Sequence, residues 1–315
     1  MTATRIRIPG TDLEIFPLNL GGNTFGWTSD REESFAVLND FVRAGGNFVD
    51  TADLYSVWNT GSTGGDSERV LGEWLREHRS AELIIATKSG GLEPYRGRSR
   101  EATFGAVDAS LARLGLETID IFYHHYDDES VSVEEQVAIA NELIAAGKIR
   151  YLALSNYTPL RLREFLVAAE GTPARPVAIQ PQYNLVHRRD YELGIRPIVE
   201  EFDLAVFPYF SLASGLLTGK YSSAADVAGR AREVFIEGVA TEEAFATVAE
   251  LRAVSGEIGA APATVALSWL RAKGVTAPIA SASHPGQLPD LMASATLELD
   301  AEQVARLDAA SAAFA

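Results

Sequence analysis

The chain has 315 residues, a formal net charge of −16 at neutral pH, 47% hydrophobic residues and no cysteine. That charge argues against nucleic acid or an anionic membrane surface as partner. The absence of cysteine excludes disulfides, thiolate metal sites and thiolate nucleophiles.

From the N-terminus, "MTATRIRIPGTDLEIFP" lacks the apolar centre of an export signal, and no later run is long enough to span a bilayer, so a cytoplasmic location is expected. Within it, "RIRIPGTDLEIF" alternates on either side of a Pro-Gly turn and predicts a hairpin. Short runs rich in Val, Ile, Leu and Phe then predict strands at 17–21, 46–50, 83–87, 119–125, 149–154, 177–181, 204–209 and 275–280. Helical periodicity follows them at about 31–44, 66–79, 101–114, 132–146, 159–169, 190–201, 262–273 and 285–294. Asp66-Ser67-Glu68 opens the second helix, "AGGN" (44–47) and "AAGK" (145–148) close the first and fourth, and Thr158-Pro159 opens the fifth. The long insertion 210–261 carries one further helix near 241–255, and "DAEQVARLDAASAAFA" predicts another at the C-terminus.

No composition break divides the chain, so 1–315 is expected to be one α/β domain. Eight strand–helix units match the count at which a parallel sheet closes into a (β/α)8 TIM barrel. The alternative, an open doubly wound sheet, usually carries a glycine-rich phosphate turn after its first strand. "GGNTFG" (21–26) is neither that fingerprint nor a P-loop.

In a barrel the C-terminal strand ends share one face, where catalysis occurs. The second strand ends in Asp50 with Tyr55 on the next loop, the third in Lys88, the fourth in His124-His125, the fifth in Ser155-Asn156. The sixth contributes Gln180, the seventh Tyr209, the eighth the small residues Ser281 and Ser283. Each alone has an ordinary explanation as a cap, turn or solvated terminus. Because successive strand residues face opposite ways, only one of the two histidines is expected at the centre of the mouth. A carboxylate, a phenol, an ammonium and an imidazole on three consecutive strand ends suit a proton donor. Asp50 holds Lys88, Lys88 lowers the pKa of Tyr55, and His125 orients a substrate oxygen.

The motifs "DTADLYS", "IATKSG", "IDIFYHH", "AGKIRYLALSNYT", "QPQYN" and "LLTGKY" resemble, in order and spacing, those of the aldo-keto reductase superfamily. The spacing in "DIFYHH" aligns His125, not His124, with the family histidine. The resemblance implies a barrel that binds NADP, with NAD possible, and interconverts a carbonyl and an alcohol by hydride transfer. It implies Tyr55 as general acid, Asp50 and Lys88 as its tuning pair, and His125 as the carbonyl-orienting residue. It further implies Ser155, Asn156 and Gln180 at the nicotinamide carboxamide, and Tyr209 stacked on its ring. The loop "SLASGLLTGK", with Ser211, Leu212, Ser214, Leu216 and Lys220, is implied at the pyrophosphate. At the adenosine end Ser281, Ser283 and Gln287 resemble the branch shared with potassium-channel beta subunits, in which an arginine from the preceding insertion also contributes. Arg230 is the candidate and Arg232 the second choice.

Phe25 and Trp58 are expected to wall the substrate side, and Tyr123 and Tyr126 to favour an apolar or sugar-like face. The expected partner is a small carbonyl or alcohol, and no metal is expected. Two alternatives remain: a cofactor-holding sensor resembling channel beta subunits, and an aldolase in which Lys88 forms a Schiff base. Asp50 opposes the second by keeping Lys88 charged.

Overall fold

The computed structural model describes residues 3–79, 82–223, 226, 236 and 238–315. Strands β1 (Ile6–Arg7) and β2 (Glu14–Ile15) pair antiparallel as the expected hairpin. Eight parallel strands follow: β3 (Asn19–Gly21), β4 (Phe48–Asp50), β5 (Ile84–Ser89), β6 (Ile119–His124), β7 (Ile149–Ser155), β8 (Ala178–Gln180), β9 (Ala205–Val206) and β10 (Ile279–Ala280). They pair in the order β10-β3-β4-β5-β6-β7-β8-β9. The edges meet: the N–H groups of Thr276 and Ala277 donate to the Val206 carbonyl (3.1 and 3.3 Å), and Ile279 N–H donates to Pro208 (3.1 Å). The sheet is thus laced into a ring surrounded by helices, the (β/α)8 architecture expected from the sequence.

Several observed strands are shorter than the apolar runs that encode them. Pro181, Pro208 and Pro278 lie at the ends of β8, β9 and β10 and have no N–H to extend a ladder. The segment expected as one helix over 190–201 divides into a π-helical turn, Asp190–Ile195, and an α-helix, Arg196–Phe202. Pro197 at the start of the second piece cannot donate back to Leu193, which removes a regular α-helical bond at the junction. Elsewhere the end signals act as expected. Thr158 caps the helix Pro159–Ala168 by accepting from Arg161 N–H.

Period-2 alternation divides the strands' side chains into two sets. Outward residues, among them Val49, Ile85, Phe122, Leu154 and Val206, pack against the helices. Inward residues Phe48, Ala86, Ile121, Tyr123, Ala153, Ala178 and Phe207 fill the barrel, and Ile8, Leu13 and Ile15 of the hairpin close it from below. Phe48 and Phe207 meet edge to face at 5.1 Å, worth about 1 kcal/mol beyond the burial of their area. Above this apolar plug, the next inward residue on successive strands is polar: Asp50, Lys88, His125, Ser155 and Gln180. The buried apolar floor forces these groups to satisfy one another or whatever enters from above.

Candidate active site

Asp50 ends β4, and Lys88 lies one inward position further along β5 than Ala86, its direct pairing partner. The offset brings Lys88 Nζ to 2.6 Å from Asp50 Oδ2, with both side chains fully buried. Nζ also donates to the Thr51 carbonyl (2.8 Å) and to Tyr55 Oη (2.9 Å), which uses all three ammonium protons. The chain turns after Ala52, with Tyr55 N–H donating to the Ala52 carbonyl (3.3 Å), and folds the phenol back over the mouth. Tyr55 O–H donates to Asp50 Oδ2 at 3.1 Å. The other carboxylate oxygen, Oδ1, accepts from Gln180 Nε2 at 3.0 Å, so β8 joins the same network. The His125 ring lies edge-on to Tyr55, with centroids 6.4 Å apart, and stacks on Tyr126 at 4.6 Å.

His124 points the other way. It is buried between sheet and helix, its Nδ1 3.0 Å from Tyr157 Oη, with Phe165 beside it. Strand alternation therefore puts one imidazole in the mouth and one in the core.

Burial, reinforced by the neighbouring Asp50 charge, pushes the Tyr55 phenol well above its ordinary value. The sequence expectation had been a lowered value. The difference is physical: Lys88 already answers Asp50, and the phenol sits in a dry pocket beside a carboxylate. Burial lowers the Lys88 ammonium, and Asp50 opposes that shift. Burial, then Lys88 and Arg98, hold the His125 imidazole well below the ordinary range, so it is neutral near pH 7.

A cleft of about 1300 Å³ opens over this cluster. Tyr55, Trp27, Trp58, Leu54, His125 and Tyr126 line one end, with Ser155, Asn156, Gln180 and Tyr209 in the middle. Ser211, Leu212, Ser214, Lys220, Ser281, Ser283 and Gln287 line the rest of it. Asn156, at φ 57, donates to the His125 carbonyl (2.9 Å) and accepts from Tyr209 O–H (3.0 Å). Ser155 Oγ donates to the Gln180 carbonyl at 2.9 Å. The backbone at Phe210, Ala213 and Ser214 has φ of 52, 46 and 55, a region that costs side-chain-bearing residues of order 1 kcal/mol or more each. Such outliers cluster where backbone N–H groups must converge on a ligand.

Two expectations, for Phe25 and Tyr123, are corrected here. Phe25 is fully buried in the sheet–helix core and does not reach the cleft, and Trp27 stands in the wall instead. The Leu216 side chain is buried in the core, which leaves the expected backbone role of its loop untouched, and its neighbours Ser214 and Gly215 line the cleft. Tyr123 lies inside the barrel beneath Lys88 rather than on the substrate side. Trp58 does face the cleft and meets Trp27 edge-on at 5.5 Å. Arg230 and Arg232 lie outside the described residues. Sequence reading missed Arg98 and Asp53, both buried: Asp53 lies inside "DTADLYS" without a role assigned to it, and Arg98 lies eight residues beyond "IATKSG" with no motif to mark it.

The arrangement is a closed parallel barrel whose C-terminal mouth gathers a carboxylate, an ammonium, a phenol and an imidazole beside an elongated cleft. The aldo/keto reductase family model matches residues 17–312, and the chain belongs to that family. Protein tas of Escherichia coli is 30% identical, over 96% of this chain and 96% of that protein. The L-glyceraldehyde 3-phosphate reductase of Escherichia coli is 29% identical, over 96% of this chain and 89% of its own length. A putative voltage-gated potassium channel subunit beta of Schizosaccharomyces pombe is 31% identical, over 88% and 83% respectively. No helix among the described residues is long and apolar enough to cross a membrane.

Proposed function

We propose that this protein is an NADP(H)-dependent oxidoreductase that converts an aldehyde, ketone or keto-sugar carbonyl to an alcohol, or the reverse, with Tyr55 as proton donor. The observation that carries this reading is the Tyr55 hydroxyl, 2.9 Å from Lys88 Nζ and 3.1 Å from Asp50 Oδ2 at the base of the cleft. A phenol held protonated by its surroundings is a reserve of one proton. When it gives that proton to a carbonyl oxygen, the phenolate left behind already has an ammonium hydrogen bond. Asp50 keeps that ammonium charged. The neutral His125 ring beside the phenol orients the carbonyl oxygen without competing as an acid.

The cleft suits a dinucleotide: a strained backbone with Lys220 for the diphosphate, and amide and hydroxyl groups of Ser155, Asn156 and Gln180 for a carboxamide. Tyr209 offers a ring face, and Ser281, Ser283 and Gln287 suit the adenosine end. When bound, the nicotinamide supplies or accepts the hydride. Among the described lining residues Lys220 is the one lysine or arginine, and the reading above commits it to the diphosphate. The end beside Tyr55 is walled by Trp27, Leu54, Trp58 and Tyr126. This favours an uncharged substrate with an apolar face over a phosphorylated one.

The Schiff-base alternative fits poorly, because Lys88 is charged, fully buried and committed to three acceptors. A sensor role shares the cofactor cleft and differs only in turnover. The test is a panel of aldehydes, ketones and sugars followed by NADPH absorbance, repeated with NADH. Cofactor binding without turnover of any member would move the reading to the sensor, and no binding of either cofactor would end it.

A further inference from the structure

We propose that Arg98 is a positioning residue for His125, acting from inside the protein on the strand end that carries the imidazole and on the charge of the ring; this rests on the carbonyl-reduction reading above. Arg98 is 1% exposed. Its Nη2 donates to the Ser89 carbonyl, and the same oxygen accepts the His125 backbone N–H at 2.9 Å. One acceptor thus ties the guanidinium to the residue that carries the imidazole. The Arg98 backbone is anchored in turn by Asp128 Oδ2, which accepts its N–H at 2.9 Å.

The chamber is built for this side chain. Gly90 has φ 116, and a Cβ there would fall 1.4 Å from Arg98 Nη2. Any other residue at position 90 would displace the guanidinium and strain the backbone. Nε and Nη1 find no hydrogen-bond partner among the described residues. An unpaired buried cation is costly, and a clamp on Ser89 alone needs only a neutral donor. What the charge adds is potential. Burial is the first cause that disfavours the imidazolium at His125, and the Arg98 charge adds to it together with that of Lys88.

The other groups facing His125 do not replace that contribution. Tyr55 stands edge-on to it and Tyr126 stacks on it, both neutral phenols. Asp50 is bound to Lys88. Tyr209 bonds to Asn156, which in turn donates to the His125 carbonyl. Asp53, behind the site, is pushed up to about 7 by burial and Glu68 and so carries only part of its charge near neutrality. Nδ1 of His125 is buried without a partner among the described residues, so no hydrogen bond at that nitrogen sets the charge of the ring.

The test is a pH titration of the histidine side-chain ¹⁵N signals in the cofactor-free protein, with His125 assigned by loss of its signal in His125→Asn. In the wild type and in Arg98→Lys the ring is expected to stay neutral through the range where an ordinary histidine titrates. In Arg98→Gln, which keeps a donor for Ser89 and removes the charge, the titration should move upward. The acid limb of kcat/KM should follow it, while affinity for NADPH stays the same. A wild-type His125 that titrates like an ordinary histidine overturns the proposal with no variant needed. So does Arg98→Gln with an unmoved His125 titration. These spectra do not depend on turnover, so failure of the carbonyl-reduction reading would be seen separately, in the substrate panel.

Discussion

Lys88 Nζ lies 2.6 Å from Asp50 Oδ2 although β4 and β5 are in a register that pairs Asp50 with Ala86. The ion pair therefore crosses the strands diagonally, and the diagonal leaves Nζ free to reach up to Tyr55 as well. Breaking one side of such a buried pair strands the other charge. Lys88→Met is expected to cost about 3–5 kcal/mol of stability. The double change Lys88→Met with Asp50→Asn should recover most of that stability and none of the activity. Urea denaturation of the three proteins checks it, and additive losses would show that the pair does not act as a unit.

Tyr55→Phe removes one hydroxyl and leaves Lys88 one hydrogen bond short while keeping its pair with Asp50. Carbonyl turnover is expected to fall by roughly a hundredfold to ten-thousandfold, with little change in NADPH affinity followed by tryptophan fluorescence. Equal loss of both would mean that the phenol serves binding rather than proton transfer.

The raised Tyr55 pKa carries a sign. On the proposed reading the protonated phenol is the donor, and it persists to pH values above the ordinary 10.0. Carbonyl reduction should therefore show no alkaline loss up to that pH. The reverse oxidation needs the phenolate and should climb as pH rises. A bell with an alkaline limb near neutrality would point to another proton donor.

Asp53 makes a prediction about stability rather than rate. Burial and the Glu68 charge raise its carboxyl from 3.8 to about 7. A raised carboxyl binds its proton more tightly folded than unfolded, so stability falls as pH rises from 3.8 through about 7. The full shift corresponds to about 4 kcal/mol at most. Asp53→Asn should flatten this slope and melt higher than the wild type at pH 8. Parallel Tm-against-pH curves for the two proteins would refute it.

Trp58 is 39% exposed and stands in the wall beside Tyr55. Trp58→Ala should raise KM for aryl aldehydes roughly fivefold, about 1 kcal/mol of ring contact, and leave small aliphatic aldehydes nearly unchanged. A uniform effect on both would make Trp58 a structural prop.

Much of the site could be read before any coordinate was known, because it lies where two simple periods end. A strand's side chains alternate, so Asp50, Lys88, His125, Ser155 and Gln180 follow from the apolar residues below them. The same alternation separates His125 from His124. Glycine and proline marked helix ends for equally local reasons, as at Thr158-Pro159. Where reading along the chain failed, the deciding contact was distant. Phe25 and Trp27 lie in one loop and are both apolar, and only the packing of helix and sheet decides which is buried. Tyr123 lies inside the barrel for the same reason.

The sequence by itself therefore determined the eight strand–helix units of the barrel and the polar ring at its mouth, since both depend on patterns a few residues long. Tertiary structure alone decided the charge state of that ring. The high pKa of Tyr55, the raised pKa of Asp53 and the placement of Arg98 in the space left by Gly90 are sums over groups brought together from separate elements. Desolvation and Coulomb energy depend on distance in space, and no spacing along the chain encodes them.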